Sequence, residues 1–379
     1  MIIKLSKANA ILFLIIKILL SFIFLDSPAQ AEKLQLPERI RGLNCRLDTL
    51  NAKAVQNMAK MGVNTLRVMI FCNNNEDSKK KDIKPPETEN PLKYYDKALS
   101  MLDTVVNECL KNNIRLIITP GDYYGRKSEK LWKKEEGKPY REHLIKFWEA
   151  FIIEYGNRPG IVAYDVLSEP EIRYDNKQEV DVWYDDFLPE TIKTIRALDQ
   201  DVWIAIGPPG SWNIFFSTMK HFDDPRILYT FHYYTPIAYT HQGIFYKPSH
   251  GKLTYPGKYT MIPTEPVKYW DKGTMIEDIK STVDFARTHK VRIFVGEFGV
   301  VRWAPGREQW IKDTIEIWEK EGFDWIFHSY AGWNGWNHTF GQDAASSMEH
   351  DGGKCTPAFK ALLDGLSKNN RPQDLSGWK

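Results

Sequence analysis

From Ile40 onward the chain alternates short apolar runs with stretches whose apolar residues recur every three or four positions. The runs predict eight strands: Arg39 to Asn44, Val63 to Phe71, Ile114 to Thr119, Gly160 to Leu167, Val202 to Ile206, Ile227 to His232, Val291 to Glu297 and Trp325 to Tyr330. The helical periods predict Ala52 to Met61, Tyr94 to Asn112, Glu142 to Tyr155, Tyr184 to Leu198, Thr274 to His289, Glu308 to Glu321 and Pro357 to Leu366. Near-continuous apolar strands separated by helices are the pattern of parallel strands joined by crossover helices. Eight such strands close a (β/α)8 or TIM barrel, so the expected fold class is α/β with that architecture. A doubly wound open sheet is the competing arrangement. Its Gly-x-Gly-x-x-Gly turn is missing, because the first strand runs into Cys45-Arg46-Leu47.

One connection breaks the rhythm. Thr235 to Gly273 has no helical period and is rich in Tyr, Pro, Gly and His. Its Tyr239, Phe245, Tyr246, Tyr255, Tyr259, Tyr269 and Trp270 predict an ordered loop rather than a disordered one. In a barrel it would leave the sixth strand on the catalytic face and wall a cleft.

Composition adds bounds. With 379 residues, 42% hydrophobic and 26% charged, the chain has ample core for one large domain. Lys4 and Lys7 precede an apolar run from Ala10 to Leu25, followed by Ala29-Gln30-Ala31. That is the pattern of an export signal over residues 1–31, leaving a catalytic domain over 32–379 and a secreted product. Removing the segment deletes three lysines and one aspartate, so a formal charge of +2 falls to neutrality. A neutral chain does not point to nucleic acid, and no later segment points to stable membrane insertion. The cluster Asp77 to Asp82 reads as a solvated loop. Cys45, Cys72, Cys109 and Cys355 allow three pairings or none; Cys45 and Cys72 each follow a predicted strand. Their spacing has no zinc pattern, so no metal is expected.

In a parallel barrel the chemistry collects at the C-terminal ends of the strands. Arg67 lies in the second strand, and Asp122 follows the third. Ser168 and Glu169 end the fourth, His232 and Tyr234 the sixth, and Glu297 the seventh. Trp333 and Trp336 follow the eighth, while Trp132, Trp212 and Trp303 are further cleft candidates. A carboxylate closing a Val/Ile-rich run is costly unless it faces a polar cleft or a partner, which singles out Glu169 and Glu297.

The order Arg67, Glu169-Pro170, His232-x-Tyr234, Gly296-Glu297-Phe298-Gly299, Trp333 resembles glycoside hydrolase family 5, the cellulase-like group of retaining barrel hydrolases. The resemblance spans Ile40 to about Leu366. It implies Glu169 as acid/base and Glu297 as nucleophile, with Arg67 and Tyr234 orienting the nucleophile. His232 would support the acid/base and Trp333 would floor the sugar site. It implies a monomer that needs no cofactor and acts on a β-linked polysaccharide or oligosaccharide, β-1,4-glucan first, then β-mannan or β-1,3-glucan. Two positions depart from the pattern: Ser168 stands where the family has Asn, and Asp122-Tyr123-Tyr124 where it tends to have His. Two rival readings remain, a carbohydrate-binding barrel without turnover and a hydrolase of lipid-linked glycans that uses the long loop as an apolar contact.

Overall fold

A computed structural model of the chain describes residues 33–73, 89–123, 125–126, 128–245, 247–260, 266–331, 333–339 and 355–378. The expected export signal, the 77–82 cluster and Tyr246 lie outside these residues. Eight parallel strands close a barrel: β1 (Arg41–Arg46), β2 (Thr65–Ile70), β3 (Arg115–Pro120), β4 (Ile161–Asp165), β5 (Trp203–Ile206), β6 (Ile227–Tyr233), then β9 (Arg292–Phe298) and β10 (Asp324–Ala331). Between β6 and β9 the long connection carries a small antiparallel pair, β7 (Gly257–Tyr259) and β8 (Lys268–Trp270). This is a TIM barrel, and each of the eight predicted runs supplies one strand.

Two predicted elements differ in extent. The strand expected from Gly160 to Leu167 stops at Asp165, four residues before Glu169. Glu169 adopts a left-handed backbone, φ +47°, which no strand can continue. The single helix expected from Tyr94 to Asn112 is broken into a 3-10 turn (Pro91–Tyr95) and helices Asp96–Leu99 and Leu102–Lys111. Between β5 and β6, where no helix is predicted, the chain forms a 3-10 helix over Asn213–Thr218.

The barrel interior is layered. Ile40, Ile117, Ala163, Ala205, Leu228, Phe294 and Ile326 form a separate apolar plug at its lower end. Above the plug the inward positions turn polar: Asn44, Arg67, Asp165, His232 and Glu297 are all buried. Register brings them together, with Asn44 beside Arg67 on β1 and β2, and His232 beside Glu297 on β6 and β9. Gly296 permits the second approach, because a Cβ there would lie 2.7 Å from Thr230 Oγ1 and 3.4 Å from His232 Nε2.

The connection 235–273 is ordered where described. Tyr239, Tyr255, Tyr259 and Trp270 are buried, and the Tyr255 hydroxyl donates to Asp313 Oδ2 at 2.8 Å. All four cysteines are free thiols, so none of the pairings considered above is made. Among the described residues, no helix is long and apolar enough to cross a membrane.

Candidate active site

Glu297 is the best-held side chain of the polar layer. Its Oε1 accepts from Arg67 Nη1 at 2.6 Å and Asn44 Nδ2 at 2.9 Å, and its Oε2 accepts from the Tyr234 hydroxyl at 2.8 Å. The Nδ1 atoms of His328 and His232 stand 3.5 and 3.7 Å from Oε2. Burial alone would raise this carboxyl; the charges of His232, His328 and Arg67 and the Tyr234 hydrogen bond outweigh it, holding it well below the usual carboxylate range. Burial also lowers His328 below the ordinary imidazole range. Arg67 keeps its charge at neutral pH.

Arg67 is 0% exposed and fully engaged. Its Nε donates to Asp165 Oδ2 at 2.7 Å, and its Nη2 donates to Ser168 Oγ at 3.1 Å. One guanidinium fork thus spans three strand ends and ties Glu297 to the segment that carries Glu169.

Glu169 occupies a different setting. Its side chain is 42% exposed, against 7% for Glu297. Its Oε1 lies 2.8 Å from His232 Nδ1. The positive φ costs about 1–3 kcal/mol for a residue with a side chain. The backbone just behind it is pinned, because Trp148 Nε1 donates to the Val166 carbonyl at 3.0 Å. His232 bridges the two carboxylates, and one oxygen of each lies within 4.8 Å of the other.

Of the seven residues at the positions of the family pattern, Arg67, Ser168, Glu169, His232, Tyr234 and Glu297 form one connected network. Trp333 is half-buried and reaches it through Trp336. The Trp333 and Trp336 ring centroids are 6.2 Å apart, and Trp336 packs 5.6 Å from Tyr234 and 5.7 Å from His328. Asp122 accepts the Tyr123 amide at 3.0 Å within its own turn. Trp303 is buried and donates to the Gln242 carbonyl, while Trp212 opens into the cleft.

Four residues of the site were not foreseen: Asn44, Asp165, His328 and Arg126. The first three are polar residues inside apolar strands (Leu43-Asn44-Cys45, Tyr164-Asp165-Val166, Phe327-His328-Ser329), the same signal that marked the glutamates. Arg126 follows β3. It donates through Nη1 to the Gly121 carbonyl at 2.6 Å and through Nε to Glu171 at 3.2 Å, beside Glu169.

A cavity of about 380 Å³ opens beside Glu169, walled by Arg126, Glu171, Trp212, His232, Tyr234 and Phe245 among others. His241 and Phe245, from the long connection, form one side, with rings stacked at 5.3 Å. Glu169, His232 and Glu297 could in principle offer three ligand atoms to a metal. A dication there would face the Arg67 guanidinium and displace the His232–Glu169 contact, so the donor set fits proton transfer better than metal binding. Two carboxyls in unequal settings, one ionised and enclosed, one open to a cleft, form the equipment for acid/base and nucleophilic work on a C–O bond.

Comparison with known proteins identifies relatives of the chain. The sequence profile described as Cellulase (glycosyl hydrolase family 5) matches residues 33–342. Endoglucanase C of Acetivibrio thermocellus is 26% identical over 261 residues, covering 61% of this chain and 72% of that protein. Cellodextrinase A of Ruminococcus flavefaciens is 25% identical over 234 residues, covering 58% and 64%. Among solved structures, Thermotoga maritima Cel5A in complex with cellobiose has a TM-score of 0.63 at 20% identity, covering 86% of this chain and 97% of that one. The same protein with mannotriose has a TM-score of 0.62 at 19% identity, covering 86% and 97%. At that identity the structural likeness speaks for the fold.

Proposed function

The chain belongs to the cellulase family, glycosyl hydrolase family 5, and is a glycoside hydrolase; from that premise we propose that it cleaves β-1,4-linked glucan chains or oligosaccharides with retention of configuration. The observation that carries the reading is the Glu169–Glu297 pair. One oxygen of each lies within 4.8 Å of the other, a closeness that supports the retaining arrangement, with carboxyls about 5–5.5 Å apart, over the inverting one, which needs about 6.5–9.5 Å to seat a water.

In the first step Glu297 attacks the anomeric carbon. Oε1 already accepts two hydrogen bonds, so Oε2, with one strong donor, is the attacking oxygen. The C–O bond to the leaving group breaks while Glu169 delivers its proton to that oxygen, leaving a glycosyl ester on Glu297. In the second step Glu169 takes a proton from water, the water oxygen attacks the same carbon, and Glu297 leaves as the carboxylate. Arg67, Asn44 and Tyr234 keep the nucleophile ionised and fixed in direction; His232 orients Glu169.

The glucan preference is supported by relatives named endoglucanase and cellodextrinase. Ser168 keeps β-mannan as the second reading, since its oxygen accepts from Arg67 and it has one O–H to offer a sugar where an amide would bring two N–H donors and a carbonyl. The test is turnover of cello- and manno-oligosaccharides by the wild type and Glu297→Gln, with NMR of the first-formed anomer. Release of the β anomer by the wild type alone is the expected result. An α first product would overturn retention, and equal, near-zero rates for the two proteins with retained sugar binding would favour a binding barrel without turnover. Residues 1–31 are proposed as an export signal, to be checked by sequencing the N-terminus of the exported protein.

A further inference from the structure

Strand β6 carries a polar residue beneath the catalytic layer. In Ile227-Leu228-Tyr229-Thr230-Phe231-His232 the side chains alternate between two faces, so Leu228, Thr230 and His232 all point into the barrel. Leu228 belongs to the apolar plug, His232 reaches Glu169, and Thr230, buried, lies between them. Valine has nearly the same shape, and an apolar strand gives no reason of its own for a hydroxyl at this depth. The side chain is turned one way. Its methyl group faces Gly207, just after β5, and its hydroxyl faces Gly296 in β9; a Cβ at those glycines would lie 3.4 Å from Cγ2 and 2.7 Å from Oγ1. The same point at Gly296 is 3.4 Å from His232 Nε2. Thr230 Oγ1 and His232 Nε2 thus border one small space. Both atoms are buried, and neither has a hydrogen-bond partner among the described residues. Two such atoms side by side can satisfy each other, directly or through one water.

The two nitrogens of an imidazole are linked, because the bond that one makes decides which of them carries the hydrogen. His232 Nδ1 faces oxygens, Glu169 Oε1 at 2.8 Å and Glu297 Oε2 at 3.7 Å. With the hydrogen on Nδ1, the ring donates to Oε1, and the acidic proton of Glu169 sits on Oε2, ready to pass to the leaving oxygen. With the hydrogen on Nε2, the bare Nδ1 accepts the Glu169 proton instead, and the leaving oxygen is deprived of it. The first form leaves a lone pair on Nε2, which needs a donor. A threonine hydroxyl is one; valine has none.

We propose that Thr230 is a positioning residue for glycoside cleavage: its hydroxyl donates to His232 Nε2, directly or through one water, and so keeps the ring hydrogen on Nδ1, toward Glu169. The proposal rests on the reading of Glu169 as acid/base, and it adds a residue that acts through His232 alone.

The need for a delivered proton varies with the leaving group, which supplies the test. Phenyl β-cellobioside needs its departing oxygen protonated, whereas 2,4-dinitrophenyl β-cellobioside releases a stable anion and does not. In Thr230→Val, kcat/KM for the phenyl glycoside is expected to fall roughly tenfold, part of the about 10²–10⁴-fold that general acid catalysis supplies, while the dinitrophenyl value changes less than about twofold. Thr230→Ser should restore the phenyl rate. An equal loss on both substrates marks a structural role and overturns the proposal, as does an undiminished phenyl rate. Nitrogen NMR of histidine-labelled protein, with His232→Gln to assign the signals, reads the tautomer itself. The ring is expected to carry its hydrogen on Nδ1 in the wild type and Thr230→Ser, and on Nε2 in Thr230→Val. A wild-type ring with its hydrogen on Nε2 alone, or the same tautomer in the wild type and Thr230→Val, overturns the proposal whether or not Glu169 is the acid. Glu169→Gln, expected to slow the phenyl glycoside and spare the dinitrophenyl one, tests that assignment separately.

Discussion

Replacing Arg67 with Met should unbalance the barrel more than any single loss at the surface. The side chain is wholly buried and pairs with two carboxylates that are themselves buried, Asp165 at 2.7 Å and Glu297 at 2.6 Å. Breaking a buried pair by removing one partner costs about 3–5 kcal/mol, because the remaining charge stays desolvated. Methionine fills the volume of the stem, so the loss is electrostatic rather than a cavity. With an unfolding entropy of about 2.1 cal/mol/K per residue over roughly 350 residues, a loss of ~4 kcal/mol lowers Tm by about 5–6 °C.

The pH dependence sharpens the test. Glu297 is held below its unfolded value of about 4.3. Its contribution to stability is therefore present above that value and lost as pH falls through the folded one. The Arg67→Met penalty should be large at pH 7.5 and shrink at pH 4, where the orphaned carboxylates can take up protons. Differential scanning calorimetry or urea unfolding at both pH values measures it. Adding Glu297→Gln should recover part of the loss at pH 7.5, since the amide carries no charge to strand. A Tm change under 1 °C at pH 7.5, or the same drop at both pH values, would refute the account of Arg67 as the charge that balances the layer.

Other expectations follow from the same contacts. Tyr234→Phe removes a hydrogen bond to a charged carboxylate worth about 2 kcal/mol, so Tm should fall by about 3 °C and kcat/KM by up to roughly 30-fold; an unchanged rate would remove Tyr234 from the site. Asn44→Ala takes one of two donors from Glu297 Oε1, and the acidic limb of the kcat/KM profile should move upward in a pH–rate series. Burial raises Asp278 to about 6 despite its bonds from Asn213, Thr235 and Tyr233. In the folded state it keeps a proton that the unfolded chain has already lost, so this contribution is full below about 4 and gone as pH rises through about 6. Asp278→Asn should flatten that fall by roughly 3 kcal/mol at most, read from urea unfolding at pH 4 and 7.5; a parallel pH course in the two proteins would count against it.

Much of this protein follows from patterns that are local in the chain. Near-continuous apolar runs such as Ile114 to Thr119 and Val202 to Ile206 are the mark of strands buried on both faces, and eight of them with crossover helices leave few closures other than a barrel. Glu169 and Glu297 stood out for the same reason, as charges at the ends of apolar runs that need a polar destination. Tertiary structure decided what that destination is. Asn44 and Arg67 are 23 residues apart, and His232 and Glu297 are 65 apart, yet each pair is one rung of a parallel ladder. Strand register, set by how side chains interdigitate around the closed barrel, has no signature in either segment alone. The same holds for the glutamates. Residue type and position made both of them candidates, but what makes them unlike is the Arg67 fork and the burial around Glu297, set against the exposed, left-handed turn at Glu169. Those differences come from chains meeting across the barrel, where a buried charge takes its properties from neighbours far away in sequence.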